Sequence, residues 1–278
     1  MAACTYCGKG AGLLSKFHPA CKIQYEEGWN RICDLATRTL SSGEGLEGLE
    51  AAMQTIAQAN YIPLEQVPTA LIAGWEAAAE RSLEDGVLTA QEETRLVNFM
   101  KHFGLTARQV NENGAFTRVR YASALRVFLA GAMPPQSERP KQLPFNLQST
   151  EKMVWVFSNV GYFEERVIGN YVQPKLTASV RLTRGVYYRP GGFRERPIQK
   201  TGMVSMDTGT LGLTTKHLYF AGKSKSFRIP YSKIIAFRPY SDGIGVTKEA
   251  ASARPMAFVT GEGWFIYNLV MNINQQAG

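Results

Sequence analysis

The chain has 278 residues, 45% of them hydrophobic and 11% aromatic, which allows two or three compact domains and excludes a disordered or low-complexity protein. Its longest apolar runs, such as 71–75 and 264–267, fall far short of the roughly 20 residues that span a bilayer, and the N-terminus lacks a hydrophobic signal region, so a cytoplasmic location is expected. The net charge of +8 is uneven, with −1 over residues 1–150 and +9 over 151–278, which points to an anionic partner for the C-terminal half or to a basic surface that only keeps it in solution.

Residues 1–34 hold all four cysteines, Cys4, Cys7, Cys21 and Cys33. In a chain that is not exported, such clustering suggests thiolates and metal rather than disulfides. Cys4-x2-Cys7 is followed by His18-x2-Cys21, two short-spaced pairs that suit one tetrahedral Zn²⁺. Gly8 and Gly10 suit a tight knuckle in which backbone amides face the sulfurs. Cys33 is a rival fourth ligand, or else a small apolar residue on the helical stretch "WNRICDLATRTL". The glycines lack phosphate-loop spacing, and no third-ligand and carboxylate pattern marks a catalytic zinc. The expected module is zinc-ribbon or treble-clef-like.

Residues 35–133 read as helical, with apolar residues at helical spacing such as Leu96, Phe99, Met100 and Phe103. Thr89 with Glu92 predicts a capping box, Gly104 a stop, and Thr106 with Gln109 the next start. An EF-hand frame over "EDGVLTAQEE" places Arg81 and Leu83 where calcium needs oxygen, which excludes that loop.

The stretch "DGVLTAQEETRLVNFMKHFGLT" resembles the helix-loop-helix of TerB-like domains, the group named after tellurite resistance. The resemblance covers about 60 residues. It implies a helical domain associated with stress and defence systems, some of whose members use acidic clusters for metal. Here Glu84, Asp85, Glu92 and Glu93 are the corresponding carboxylates, and a helix N-terminus favours the same residues without any metal.

Residues 134–150, with four prolines, read as an extended linker. Residues 151–278 then read as seven or eight short strands separated by Gly, Asp, Pro and Ser turns, closed by a helix over "GWFIYNLVMNIN". In that helix Trp264, Tyr267 and Met271, with Ile266, Leu269, Val270 and Ile273, are expected on one apolar face. The pattern "LGLTTKHLYF…FRIPYSKIIAF…DGIGV" is similar to that of bacterial pleckstrin-homology and GRAM-type domains, over roughly residues 155–275. The resemblance implies a small, partly open β-barrel with a terminal helix, used for binding and assembly. The fold class expected for the whole chain is thus multidomain α+β.

The candidate anion- or partner-binding residues are Arg189, Phe193, Arg194 and Arg196 in "YYRPGGFRERP" and Lys223, Lys225 and Arg228 in "GKSKSFR". Basic side chains around an aromatic loop tip attract anionic headgroups, while such turns also carry Lys and Arg for solubility and edge protection. Lys175, Arg181 and Arg184 do not meet the phosphoinositide signature, so no specific inositol-lipid recognition is expected. Three function classes follow. The first is a non-enzymatic zinc-binding adaptor whose barrel docks on a protein or an anionic membrane surface, in a stress or phage-defence setting. The second is nucleic-acid binding through the zinc module and the basic barrel. An enzyme is the third and is not expected: His18, His102 and His217 are the only histidines, and no nucleophile elbow, dinucleotide fingerprint or metalloprotease helix is present. His217 reads as a packed or edge residue.

Overall fold

The computed structural model describes residues 2–12, 15–84, 86–135, 142–171, 180–183, 186–188, 198–250 and 253–276. The chain divides into two compact units, Met1–Pro135 and Gln136–Gly278.

The first unit opens with a tight loop and continues in five helices, α1 (Pro19–Ser42), α2 (Leu49–Ala59), α3 (Val67–Ser82), α4 (Ala90–His102) and α5 (Ala115–Leu129). Proline at its first turn starts α1, and Gly43, at φ 75°, ends it by donating to the Thr39 carbonyl. One helix therefore runs unbroken through residue 34, joining the cysteine-rich segment to the bundle. Thr89 and Glu92 form the expected capping box on α4, and Thr106 and Gln109 bond reciprocally before the next turn. Trp75, Met53, Leu96, Phe99, Ile32 and Val110 fill the core, and the indole of Trp75 donates to the Leu96 carbonyl at 3.0 Å.

Helices α1 and α3 touch where side chains are smallest. A Cβ placed on Gly74 would lie 2.6 Å from the Cβ of Ala36 and 2.9 Å from the Cys33 carbonyl oxygen. The Thr37 hydroxyl reaches the carbonyls of Cys33 (2.8 Å) and Gly74 (3.1 Å) across the same contact. Gly74→Val is expected to lower unfolding free energy by about 2–3 kcal/mol, because the helices must move apart. Urea denaturation checks this, and unchanged stability would contradict the close crossing.

The second unit is a seven-stranded antiparallel sheet curled into a half-barrel, with order β6-β5-β4-β1-β9-β8-β7. Its strands are β1 (Met153–Tyr171), β4 (Ile198–Thr214), β5 (His217–Gly222), β6 (Ser226–Pro230), β7 (Ile234–Pro239), β8 (Gly243–Lys248) and β9 (Met256–Val259). A separate hairpin, β2 (Val180–Thr183) with β3 (Val186–Tyr188), lies between β1 and β4 in the chain. Helix α6 (Gly263–Gln276) follows β9 and packs on β7 and β8. The core gathers Tyr162, Leu211, Leu213, Leu218, Phe220, Ile244 and Phe258 from the sheet with Phe265, Ile266, Leu269, Val270 and Ile273 from the helix. Trp264 departs from expectation: it is 41% exposed, and the buried face runs through Phe265 instead.

Two glycines of the sheet turn out to be points of close approach. Gly209 and Gly212 lie inside β4, which runs unbroken where two shorter strands were expected. A Cβ on Gly209 would meet the Ala221 carbonyl oxygen at 2.2 Å, and one on Gly212 would meet the Phe145 ring at 2.6 Å. Phe145 also packs on Tyr219, with centroids 5.3 Å apart. Residues 142–150, read as linker, thus include an aromatic that docks on the sheet.

Candidate metal centre

The site is built by two short segments. In the first, the Cys4 amide donates to the Lys9 carbonyl (2.7 Å) and the Gly8 amide to the Cys4 carbonyl (2.9 Å), and Gly8 takes φ 73° directly after Cys7. This tight turn holds Cys4 and Cys7 together. In the second segment, His18 is the N-cap of α1 and Cys21 sits in its first turn. The Thr5 amide, bonded to the Lys16 carbonyl at 3.0 Å, ties the segments together.

As a result the ligand atoms of Cys4, Cys7, His18 and Cys21 all lie within 4.8 Å of one another, compatible in geometry with a zinc ion. The Nδ1 atom of His18 is 3.4 Å from Cys7 Sγ and 3.7 Å from Cys21 Sγ. A tetrahedron with ordinary Zn–S and Zn–N bond lengths has nitrogen–sulfur edges of about 3.5 Å, close to both. His18 Nε2 faces the Gly10 carbonyl at 2.9 Å, which fixes the ring and leaves Nδ1 for the cluster.

Electrostatics favour a cation here. Burial pushes the Cys4 thiol up, but hydrogen bonds from the Cys7, His18 and Tyr6 backbone, together with the Cys7 side chain, outweigh it and bring the thiol down to about 6. For Cys21, burial and then the neighbouring Cys7 and Cys4 sulfurs raise the thiol to about 11. Thiolates this close resist joint ionisation unless a positive charge sits among them. His18 is raised as well, first by its bond to Cys7 and then by the Gly10 carbonyl.

Cys33 lies apart from this cluster. It is half-buried in the α1–α3 contact, its thiol donates to the Ala70 carbonyl at 3.4 Å, and burial raises its pKa. Among the described residues, the carboxylates near α4 do not converge either. Glu92 caps the helix, Glu93 binds Arg126 and Ser123, and Asp85 lies outside the described residues. His102 stacks edge-on against Phe103.

The basic candidates divide. Arg189, Phe193, Arg194 and Arg196 lie outside the described residues. Lys223, Lys225 and Arg228 are exposed, but they face different surroundings. Burial raises the Glu164 carboxyl, but the Tyr162 hydroxyl and Arg166, with a smaller contribution from nearby Lys225, outweigh it and bring it down, whereas Arg228 reaches the Tyr219 hydroxyl. The Asp207 carboxylate accepts the amides of Ser224 (2.7 Å) and Lys225 (2.8 Å), which pins the hairpin that carries the lysines.

One buried polar cluster escaped the sequence reading. The carboxylate of Glu151 accepts from the Thr214 hydroxyl, His217 Nδ1 (2.7 Å), the Tyr219 hydroxyl (2.7 Å) and the Gln148 amide (3.1 Å). Burial raises its pKa, but these bonds together bring it down to about 2. His217 is indeed packed, and a partner 66 residues away in the chain holds it.

No protein-family model matches the chain, and no curated protein is similar to it. Among the described residues, no helix is long and apolar enough to cross a membrane.

Proposed function

We propose that the chain is a non-enzymatic adaptor, with a zinc ion stapling its N-terminal knuckle to the helical unit and a C-terminal pleckstrin-homology-like half-barrel docking on an anionic surface. Residues 35–133 are read as a TerB-like domain in a stress or defence setting. Cys4, Cys7, His18 and Cys21 would hold the zinc, which supplies structural rigidity to a loop with little apolar surface to bury.

The observation that carries the docking reading is the strand order. Two antiparallel meanders, β1-β4-β5-β6 and β7-β8-β9, meet through the pairing of β1 with β9, and α6 covers one end. That layout, on a segment with a net charge of +9, supports a binding module. A second reading, nucleic-acid binding, is favoured by the stretch 172–200, which has seven Lys or Arg and one Glu.

Co-sedimentation of the full chain with neutral and anionic vesicles across a salt series tests the proposal. Binding is expected only to anionic vesicles and is expected to fade with salt. The triple charge reversal K223E/K225E/R228E should weaken it by roughly 1 kcal/mol or more per residue. No binding to either vesicle, with salt-dependent capture of a duplex, would replace the membrane reading with the second one.

A further inference from the structure

The two ligands that the N-terminal loop brings to the cluster stand at the ends of one tight turn. Thr5, Tyr6 and Cys7 make the turn, and the Gly8 amide closes it on the Cys4 carbonyl at 2.9 Å. Residues at the two ends of a four-residue turn have Cα atoms within about 7 Å, and a disulfide takes about 4.4–6.8 Å. The Cys4 and Cys7 sulfurs are already within 4.8 Å of each other. Access differs between them. Cys7 is half-buried, whereas Cys4 is buried and its sulfur accepts the His18 amide at 3.4 Å. An oxidant in solution therefore meets Cys7 first, and Cys4 stands beside it to resolve the product.

The same turn carries a cover for the first helix. The Tyr6 ring centroid lies 5.0 Å from that of Tyr25 and 6.0 Å from that of Phe17, and Tyr25 stacks on Trp29 at 6.1 Å. Tyr25 and Trp29 belong to α1 and pack against the bundle core, which holds them in place when the loop moves. What keeps Tyr6 over them is the shared ligand cluster, whose other half, His18 and Cys21, opens α1.

We propose that Cys4 and Cys7 form a redox switch, in which a peroxide joins them in a disulfide, the site loses its zinc and the loop lifts from Tyr25 and Trp29. The inference rests on the zinc reading above. The Cys7 thiolate attacks one oxygen of hydrogen peroxide and breaks the O–O bond, giving a sulfenic acid and a hydroxide. The Cys4 thiolate then attacks the Cys7 sulfur and displaces a second hydroxide, so the two thiolates give two electrons to the peroxide and end as one disulfide. A disulfide sulfur has no thiolate charge to offer a metal, which leaves His18 and Cys21, half of the donor set of a structural site. A dithiol reductant restores both thiolates.

Hydrogen peroxide added to the full chain, with bound zinc measured beforehand, tests the switch. Peroxide is expected to release the zinc to a chromogenic chelator and to leave a Cys4–Cys7 disulfide in mass-mapped peptides. Amide protection should fall over residues 2–12, and tryptophan fluorescence should change in the wild type and not in W29F. A dithiol with added zinc should reverse all of these. A chain without zinc before treatment overturns the metal reading and the switch with it. Zinc retained at peroxide levels that oxidise the exposed Met133 and Met203 overturns the switch alone. A disulfide to Cys21, or a product that the dithiol does not reverse, also overturns it.

Discussion

Cys4→Ser is expected to reduce bound zinc from about one ion per chain to near zero, and to strip amide protection from residues 2–18 while the helices remain. The loss should be local. Cys4 is buried within the knuckle and its sulfur accepts the His18 amide, whereas α1 onward is held by the bundle core. Zinc sites of this type contribute an apparent ~10–16 kcal/mol of binding in isolated modules, far more than the few apolar contacts of such a loop. Cys33→Ser should keep its zinc, because that thiol bonds a carbonyl in the α1–α3 contact. Elemental analysis of both variants, paired with hydrogen exchange, checks the outcome. Zinc retained in the Cys4 variant and lost in the Cys33 variant would reverse the ligand assignment.

Glu151→Gln should cost about 3 kcal/mol in urea denaturation. A carboxylate accepts from all its partners, whereas an amide turns its NH₂ toward donors and leaves buried groups unpaired. The same residue sets an acid response. Its folded-state pKa, about 2, lies below the ordinary 4.5, so its contribution is present above pH 4.5 and is lost as the pH falls through 2. That difference corresponds to about 3 kcal/mol at 1.36 kcal/mol per pH unit. The Gln variant should therefore show a shallower fall in stability below pH 4.5 than the wild type. Parallel acid-stability curves for the two proteins would mean that the cluster does not hold its carboxylate ionised.

Local signals were legible in the sequence. The Cys and His spacing anticipates the cluster because two tight turns supply four ligands from within 18 residues. The Thr89 and Glu92 cap is equally local, as is the helix that opens at Gly263. Signals that depend on distant packing were hidden. Glu151 and His217 are 66 residues apart, and nothing in "QSTEKM" announces a buried carboxylate. The far end of β1 was missed because "EERVIGNY" mixes charge and glycine, although β1 extends through it to Tyr171. Gly209 read as the end of a strand and Gly212 as an ordinary strand residue, and only their neighbours show why a side chain does not fit there. Phe145 stood among prolines, and its place on the sheet depends on Gly212 and Tyr219 more than 60 residues on.

The most direct test of the central claim, a zinc-stapled first unit, is native mass spectrometry of the full chain before and after a strong chelator. The account predicts one zinc per chain in the untreated protein, and after chelation a loss of that mass together with opening of residues 2–18. A chain that carries no zinc, with the same region equally protected before and after treatment, would contradict it.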